Sequence, residues 1–225
     1  MIPVCAVIPA LNASSTIEAA ISSVRPSVER VIVVDGGSSD GTPSVAAAAG
    51  ASVVLAPRGR GVQLAAGAAA AGADSAWLLF LHADTVLQDG WAEEAAAFLA
   101  GPEAQETAAA FCFVLDDSSR PARIIERGVA RRCRMLGMPY GDQGLLISRT
   151  LFDAVGGFRP YPLFEDVDIV RRIGRARIRM LESAAVTSAE RYRRSGYIVR
   201  PMRNLALLAL YFCGVPPRLL ARLYG

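Results

Sequence analysis

Four apolar runs rich in β-branched residues recur in the first half of the chain, each separated from the next by a helix-like segment. They are PVCAVIP (3–9), RVIVVD (30–35), ASVVLAP (51–57) and AWLLFLHAD (76–84). Strict strand–helix alternation at this spacing predicts parallel strands joined by right-handed crossovers. The runs are apolar throughout rather than alternating, as strands must be when helices cover both faces of a sheet. Between them, SSTIEAAISSV (14–24) reads as a helix capped by Ser14 or Ser15, with Glu18 in its first turn. GTPSVAAAAG (41–50) places Pro43 near a helix start and Gly50 at its end, and GVQLAAGAAAAGA (61–73) forms a third helix. Beyond about residue 105 the pattern loosens into AAAFCFVL, an Arg-rich helix over 121–135 and a loop. The expectation is an α/β fold, a doubly wound, mostly parallel sheet with a mixed C-terminal extension. With no linker and no repeat, the chain is expected to form a single domain over 1–225.

In open α/β sheets, ligands bind outside the carboxyl ends of the strands. Three of the four runs end there on polar residues: Asn12, Asp35, and the pair His82 and Asp84. A simple Asx-turn leading to a cap at Asp40 accounts for DGGSSDGT (35–42) taken alone. Three polar termini on one rim exceed what turns require. The rim lacks G-x-G-x-x-G, and all 24 basic residues are arginine, so a lysine-bearing P-loop is excluded. What remains is a carboxylate after the second strand, a second one at Asp84 suited to Mg²⁺ or Mn²⁺, and Arg58 and Arg60 in PRGRG to neutralise a diphosphate. A nucleoside diphosphate held with a divalent cation satisfies all three.

Charge is unevenly placed. Up to Leu115 there are 4 arginines against 11 acids, and from Asp116 onward 20 against 10. The basic second half suits phosphates, an acidic acceptor or an anionic membrane surface. No interleaved aromatic platform accompanies the arginines, so no nucleic-acid partner is expected. The scattered cysteines (Cys5, Cys112, Cys133, Cys213) point to free thiols in a reducing cytoplasm, and no signal peptide is visible. The apolar run Leu205 to Val215 is too short to span a bilayer, which leaves peripheral membrane association through the C-terminal part.

Six motifs in order make the chain resemble the family 2 glycosyltransferases of GT-A fold: VIPALN (7–12), the loop Asp35 to Thr42, Gly59-Arg60-Gly61, His82 to Asp84, Gly156-Gly157-Phe158, and Glu165-Asp166 with Asp168 after them. HADT, GDQG (141–144) and GVPPRLLARLYG resemble the small bacterial radical-SAM/selenodomain-associated, arsenosugar-biosynthesis type of transferase. The resemblance implies an inverting transfer from a UDP- or GDP-sugar to an acceptor hydroxyl. It implies donor contacts at Pro9, Ala10, Asn12, Asp35, Gly37, Ser38, Arg60, Gly61, Gln63, His82 and Ala83, with metal at Asp84. Asp166 is then the general base and Glu165 its neighbour, Gln143 and Gly144 face the acceptor, and Asp168 serves the helix start. Residues 1–115 would hold the donor, and 116–225 the acceptor and base. Two departures stand out: Gly36 replaces the second acid of the usual Asp-Asp pair, and His82 replaces the first acid of Asp-x-Asp. The alternatives are a sugar nucleotidyltransferase and a non-catalytic nucleotide-sugar binder. Asp35 is expected to serve binding with little effect on melting temperature, and Asp40 to serve stability.

Overall fold

The apolar runs become the centre of one sheet. The computed structural model describes residues 1–224. The chain runs through β1 (Ile2–Ala10), α1 (Ile17–Val24), β2 (Val28–Asp35), α2 (Thr42–Ala48), β3 (Ser52–Leu55), α3 (Arg60–Ala70) and β4 (Trp77–Phe80). β5 (Thr85–Leu87), α4 (Trp91–Leu99), β6 (Ala108–Leu115), α5 (Arg120–Leu136), β7 (Leu145–Ser148) and α6 (Arg149–Ala154) follow. The chain continues through α7 (Glu165–Ile173), β8 (Ile178–Thr187), α8 (Glu190–Ser195), α9 (Val199–Phe212) and α10 (Pro217–Tyr224). The sheet has eight strands in the order β3-β2-β1-β4-β7-β6-β8-β5. β1 to β4 are mutually parallel, and β7 inserts antiparallel between β4 and β6. β8 then runs parallel to β6, with short β5 antiparallel on its far side. This is the doubly wound sheet with a mixed extension that the sequence implies.

Successive side chains of a strand point to opposite faces, so β1 feeds two cores. Val4, Ala6 and Ile8 pack with Ile17, Ile21 and Trp91 on one face. Cys5 and Val7 pack with Leu64, Ala68 and Ile169 on the other. The small residues of α3 let it lie close to the sheet: a Cβ on Gly67 would come within 2.2 Å of Val7 Cγ1. All four cysteines are free. Among the described residues no helix is long and apolar enough to cross a membrane.

Local caps differ from expectation. Thr16, not Ser14 or Ser15, precedes α1, and its hydroxyl donates to the Ala13 carbonyl at 3.4 Å rather than capping. Gly41, left-handed at φ 84°, stands before α2 where Asp40 was expected. α5 is longer than the predicted 121–135, with the Ser119 hydroxyl accepting from the Ala122 amide at 3.4 Å. β4 ends at Phe80, which leaves His82 to Asp84 in the turn beyond it.

Candidate active site

The loops after β1 and β2 are knitted together. Asn12, itself left-handed at φ 49°, donates its amide to Ser38 Oγ (2.8 Å) and accepts at Oδ1 from the Ser39 amide (2.9 Å). The Ala13 amide donates to Thr42 Oγ1 (2.8 Å) and the Ser14 amide to Asp40 Oδ2 (3.0 Å). Asp40 Oδ1 also accepts from the Thr42 amide at 3.1 Å. The Thr42 hydroxyl and the Ser14 amide hold the Asp40 carboxyl well below the usual carboxylate range.

Asp35 corrects the sequence reading most sharply. It is 1% exposed, and its Oδ2 accepts from the Gly37 and Ser38 amides at 2.9 Å each while Oδ1 accepts from the Ser38 hydroxyl. A carboxylate placed inside its own loop organises that loop. Asp35→Ala strands three donors. The melting temperature is therefore expected to fall by roughly 5–10 °C, since hydrogen bonds to charged groups are worth about 1.5–3 kcal/mol. Asp40, exposed at the rim, should lower it less. Scanning calorimetry of both variants checks the order, which is the reverse of the sequence expectation.

Other expected donor contacts divide between wall and scaffold. Gln63 is buried, and its Nε2 donates to the carbonyls of Ala10 and Val34 at 2.8 Å each, stapling the ends of β1 and β2. A Cβ on Gly36 would press on that amide at 3.0 Å, which gives a packing reason for glycine at this position. Gly61 lets α3 pass the 159–161 backbone, where a Cβ would lie 2.3 Å from the Arg159 carbonyl. Asp35, Gly37, Ser38 and Gly61 do not line the cleft.

The cleft itself is about 550 Å³. Pro9, Ala10 and Asn12 form one side, with Gln63 also reaching it; Arg58 and Arg60 stand beyond. His82, Ala83 and Asp84 form the floor. The opposite wall comes from far along the chain, as Ser188, Arg191, Arg194 and Tyr224. Sequence reasoning missed these four. The arginine density of RYRRSGY was the available signal, but it carries no motif spacing. Asp84 has a half-buried carboxylate whose cationic neighbour is Arg191 Nη2 at 3.8 Å. Its loop is held through its own carbonyl, which accepts from the Ser188 amide at 3.0 Å.

Behind the floor lies an acidic group. Asp166, in the first turn of α7, accepts at Oδ2 from the Gly141 amide (2.8 Å) and at Oδ1 from the Val167 amide (2.7 Å). Gly141 sits between two side chains: a Cβ there would lie 2.5 Å from His82 Nε2 and 3.3 Å from Asp166 Oδ2. Burial, with the charges of Arg60 and Arg191, keeps His82 well below its ordinary pKa, so the imidazole is neutral at pH 7. Glu165 is 1% exposed, and among the described residues neither carboxylate oxygen has a hydrogen-bond partner. Arg60 Nη1 lies 3.5 Å away. Burial pushes Glu165 up to about 7; Arg60 opposes the shift and Asp166 adds to it. Phe164, left-handed at φ 63°, sets the entry into α7 and packs its ring 5.2 Å from that of Tyr211. Asp168 is a structural ion pair, with Arg159 at 3.1 Å and Arg172 at 2.6 Å.

Gln143 and Gly144 are corrected too. Gln143 is 1% exposed and saturated: Oε1 accepts from Arg132 Nη2 (2.9 Å) and the Tyr140 amide (3.2 Å), and Nε2 donates to the Phe111 carbonyl (3.0 Å). Gly144, at φ 64°, is buried against Phe111. Both hold the turn. The residue of GDQG with free chemistry is Asp142, whose Oδ1 is buried without a partner among the described residues and whose carboxyl burial lifts to about 6.

Comparisons with known proteins bear on the family and the fold. The profile described as Glycosyl transferase family 2 matches residues 5–163. Glucosyl-3-phosphoglycerate synthase from Mycobacterium tuberculosis, solved with Mg²⁺ and uridine-diphosphate, superposes with a TM-score of 0.66 at 23% identity, covering 95% of this chain and 80% of that one. The same enzyme with Mn²⁺, uridine-diphosphate-glucose and phosphoglyceric acid gives 0.63 at 22% identity with the same coverage. No curated protein sequence matches. The matched span takes in well over half of the chain, including the ends of β1, β2 and β4, and the chain belongs to glycosyl transferase family 2 and carries its GT-A fold.

Proposed function

We propose that the protein moves a sugar from a nucleoside-diphosphate sugar to an acceptor hydroxyl with inversion at the anomeric carbon. The observation that carries this reading is the junction of cleft and carboxylate. A cleft walled by four arginines has a neutral His82 in its floor, and a smaller pocket on the other side of His82 is lined by Asp166, which two backbone amides hold in place. In the transfer, the acceptor oxygen bonds to the anomeric carbon as the bond to the diphosphate oxygen breaks. Asp166 takes the hydroxyl proton. Arg58, Arg60, Arg191 and Arg194 receive the charge that develops on the leaving diphosphate. Glu165, buried behind Arg60, acts by fixing that guanidinium rather than by touching the acceptor. Asp35 acts through the loop it organises.

Among the described residues no group of three or more His, Cys, Asp or Glu side chains gathers around a metal position. Asp84 fits Mg²⁺ or Mn²⁺ as the single protein carboxylate of an oxygen-rich shell completed by diphosphate and water. Such an ion would supply electrostatic stabilisation of the leaving group. The solved neighbours' uridine-diphosphate and Mn²⁺ or Mg²⁺ support uridine over guanosine and a divalent requirement. HADT and GDQG support placement in the arsenosugar-biosynthesis type, and the four free cysteines support a cytoplasmic protein. Residues 1–115 supply most of the donor side and 116–225 the base, with Ser188, Arg191 and Arg194 crossing over to the donor. A nucleotidyltransferase would carry a basic, Gly-rich loop after β1, where this chain carries the Asn12 loop.

A thermal-shift series with UDP, UDP-glucose and GDP-mannose, with and without Mn²⁺, tests the reading. Ligand at 100 times its Kd adds about 2.7 kcal/mol, or roughly 5–11 °C for a chain of this size. A Mn²⁺-dependent rise with the uridine compounds is expected. No rise with any nucleotide would remove the donor assignment.

A further inference from the structure

Helix α9 has two unlike faces. One is anchored: Leu207 is buried, Tyr211 packs on Phe164, and Arg171 lies 5.8 Å from the Tyr211 ring centroid. The other is open. Ile198, Met202, Leu205 and Phe212 recur at helical spacing, and Ile198, Met202 and Leu205 are each more than 60% exposed. Ala209 continues the same stripe, and Leu219 and Leu223 of α10 add exposed leucines beside it. An apolar stripe of this kind on a helix about 21 Å long is too extensive to be scattered surface residues.

The charges of the segment say what covers it. Residues 191–225 contain seven arginines and no acidic residue. Arg218 and Arg222 of α10 are exposed beside the leucines. A second copy placed across a two-fold axis would bring two such segments together with no carboxylate in either to neutralise them. A bilayer with anionic headgroups answers both properties at once, because apolar side chains enter the headgroup–acyl boundary while arginines meet lipid phosphates. We propose that α9 and α10 form a docking surface for an anionic lipid bilayer, lying in its plane. The same segment forms the far wall of the cleft through Arg191, Arg194 and Tyr224, so the bound protein would carry the cleft against the membrane. The inference does not depend on the transfer reaction.

Co-sedimentation of the full chain with vesicles containing about 30% phosphatidylglycerol in phosphatidylcholine tests it, against vesicles of phosphatidylcholine alone. Binding to the anionic vesicles is expected, weakening as salt rises. Met202→Ser/Leu205→Ser should lower the partition coefficient at least ~10-fold through lost apolar insertion. Arg218→Ser/Arg222→Ser should lower it ~10-fold or more through lost charge. Both variants should keep the parent melting temperature, since none of the four side chains is buried. Failure of the parent chain to bind anionic vesicles at low salt would overturn the proposal, as would binding that neither variant weakens. A dimer in vesicle-free buffer that Met202→Ser/Leu205→Ser dissociates would assign the face to a second copy, and the proposal would fall.

Discussion

Asp166→Asn is expected to lower sugar transfer by at least ~10²-fold while leaving donor binding near that of the parent, the range that removal of a general base produces. The substitution removes the proton acceptor and little volume. It has one structural side effect. Asp166 accepts at both oxygens, from Gly141 and from Val167, whereas asparagine offers one acceptor and one NH₂, so one amide loses its partner. The Gly141 turn should loosen, which costs some stability but does not touch the arginines or Asp84. Transfer measured beside the UDP thermal shift separates the two roles. If the donor shift disappears with the activity, Asp166 belongs to the donor site and another group takes the proton.

Asp84→Ala should abolish the Mn²⁺ dependence of the donor shift and lower transfer by on the order of 10²-fold or more, because a divalent ion contributes several kcal/mol of charge stabilisation. Stability should change little. Among the described residues no hydrogen bond to the carboxylate is made, and its ionic neighbour Arg191 is 3.8 Å away and more than half exposed, a pair worth little in water. Normal turnover with Mg²⁺ or Mn²⁺ in this variant would remove the metal from Asp84.

The parallel half of the sheet was legible because it rests on patterns that sequence displays directly: four apolar runs, each closing on a polar residue or a turn, whereas β5, β7 and β8 carry no run of that length. The near rim was legible for the same reason, and Asn12, Arg60, His82 and Asp84 all reach the cleft. What failed were questions of partnership. Nothing local to Gln63 says that its amide spans two strand ends, because the acceptors at Ala10 and Val34 come from other elements. Asp35 reads the same whether its carboxylate faces outward or turns onto Gly37 and Ser38. Gln143 and Asp142 are neighbours with opposite fates, decided by Arg132 and Phe111, which lie in different elements. The far wall, Ser188 to Arg194, comes from a segment about a hundred residues distant, brought in by a strand pairing that no local signal announces.

That pairing has a consequence for how the protein is made. β5 follows Asp84 directly, yet among the described residues its strand partner is β8, where Thr85 lies opposite Thr187 and their hydroxyls bond at 2.8 Å. During synthesis at about 5–20 residues per second, the loop carrying Asp84 leaves the ribosome roughly 5–20 s before its partner strand does. β1, β2 and β3 can associate early. The carboxylate that would meet the leaving group, by contrast, hangs from a strand with nothing to pair with until nearly the whole chain has emerged. A nascent chain halted between Leu87 and Ile178 therefore has β1 to β4 available to pair while the loop carrying Asp84 leads into a strand whose partner has not been made.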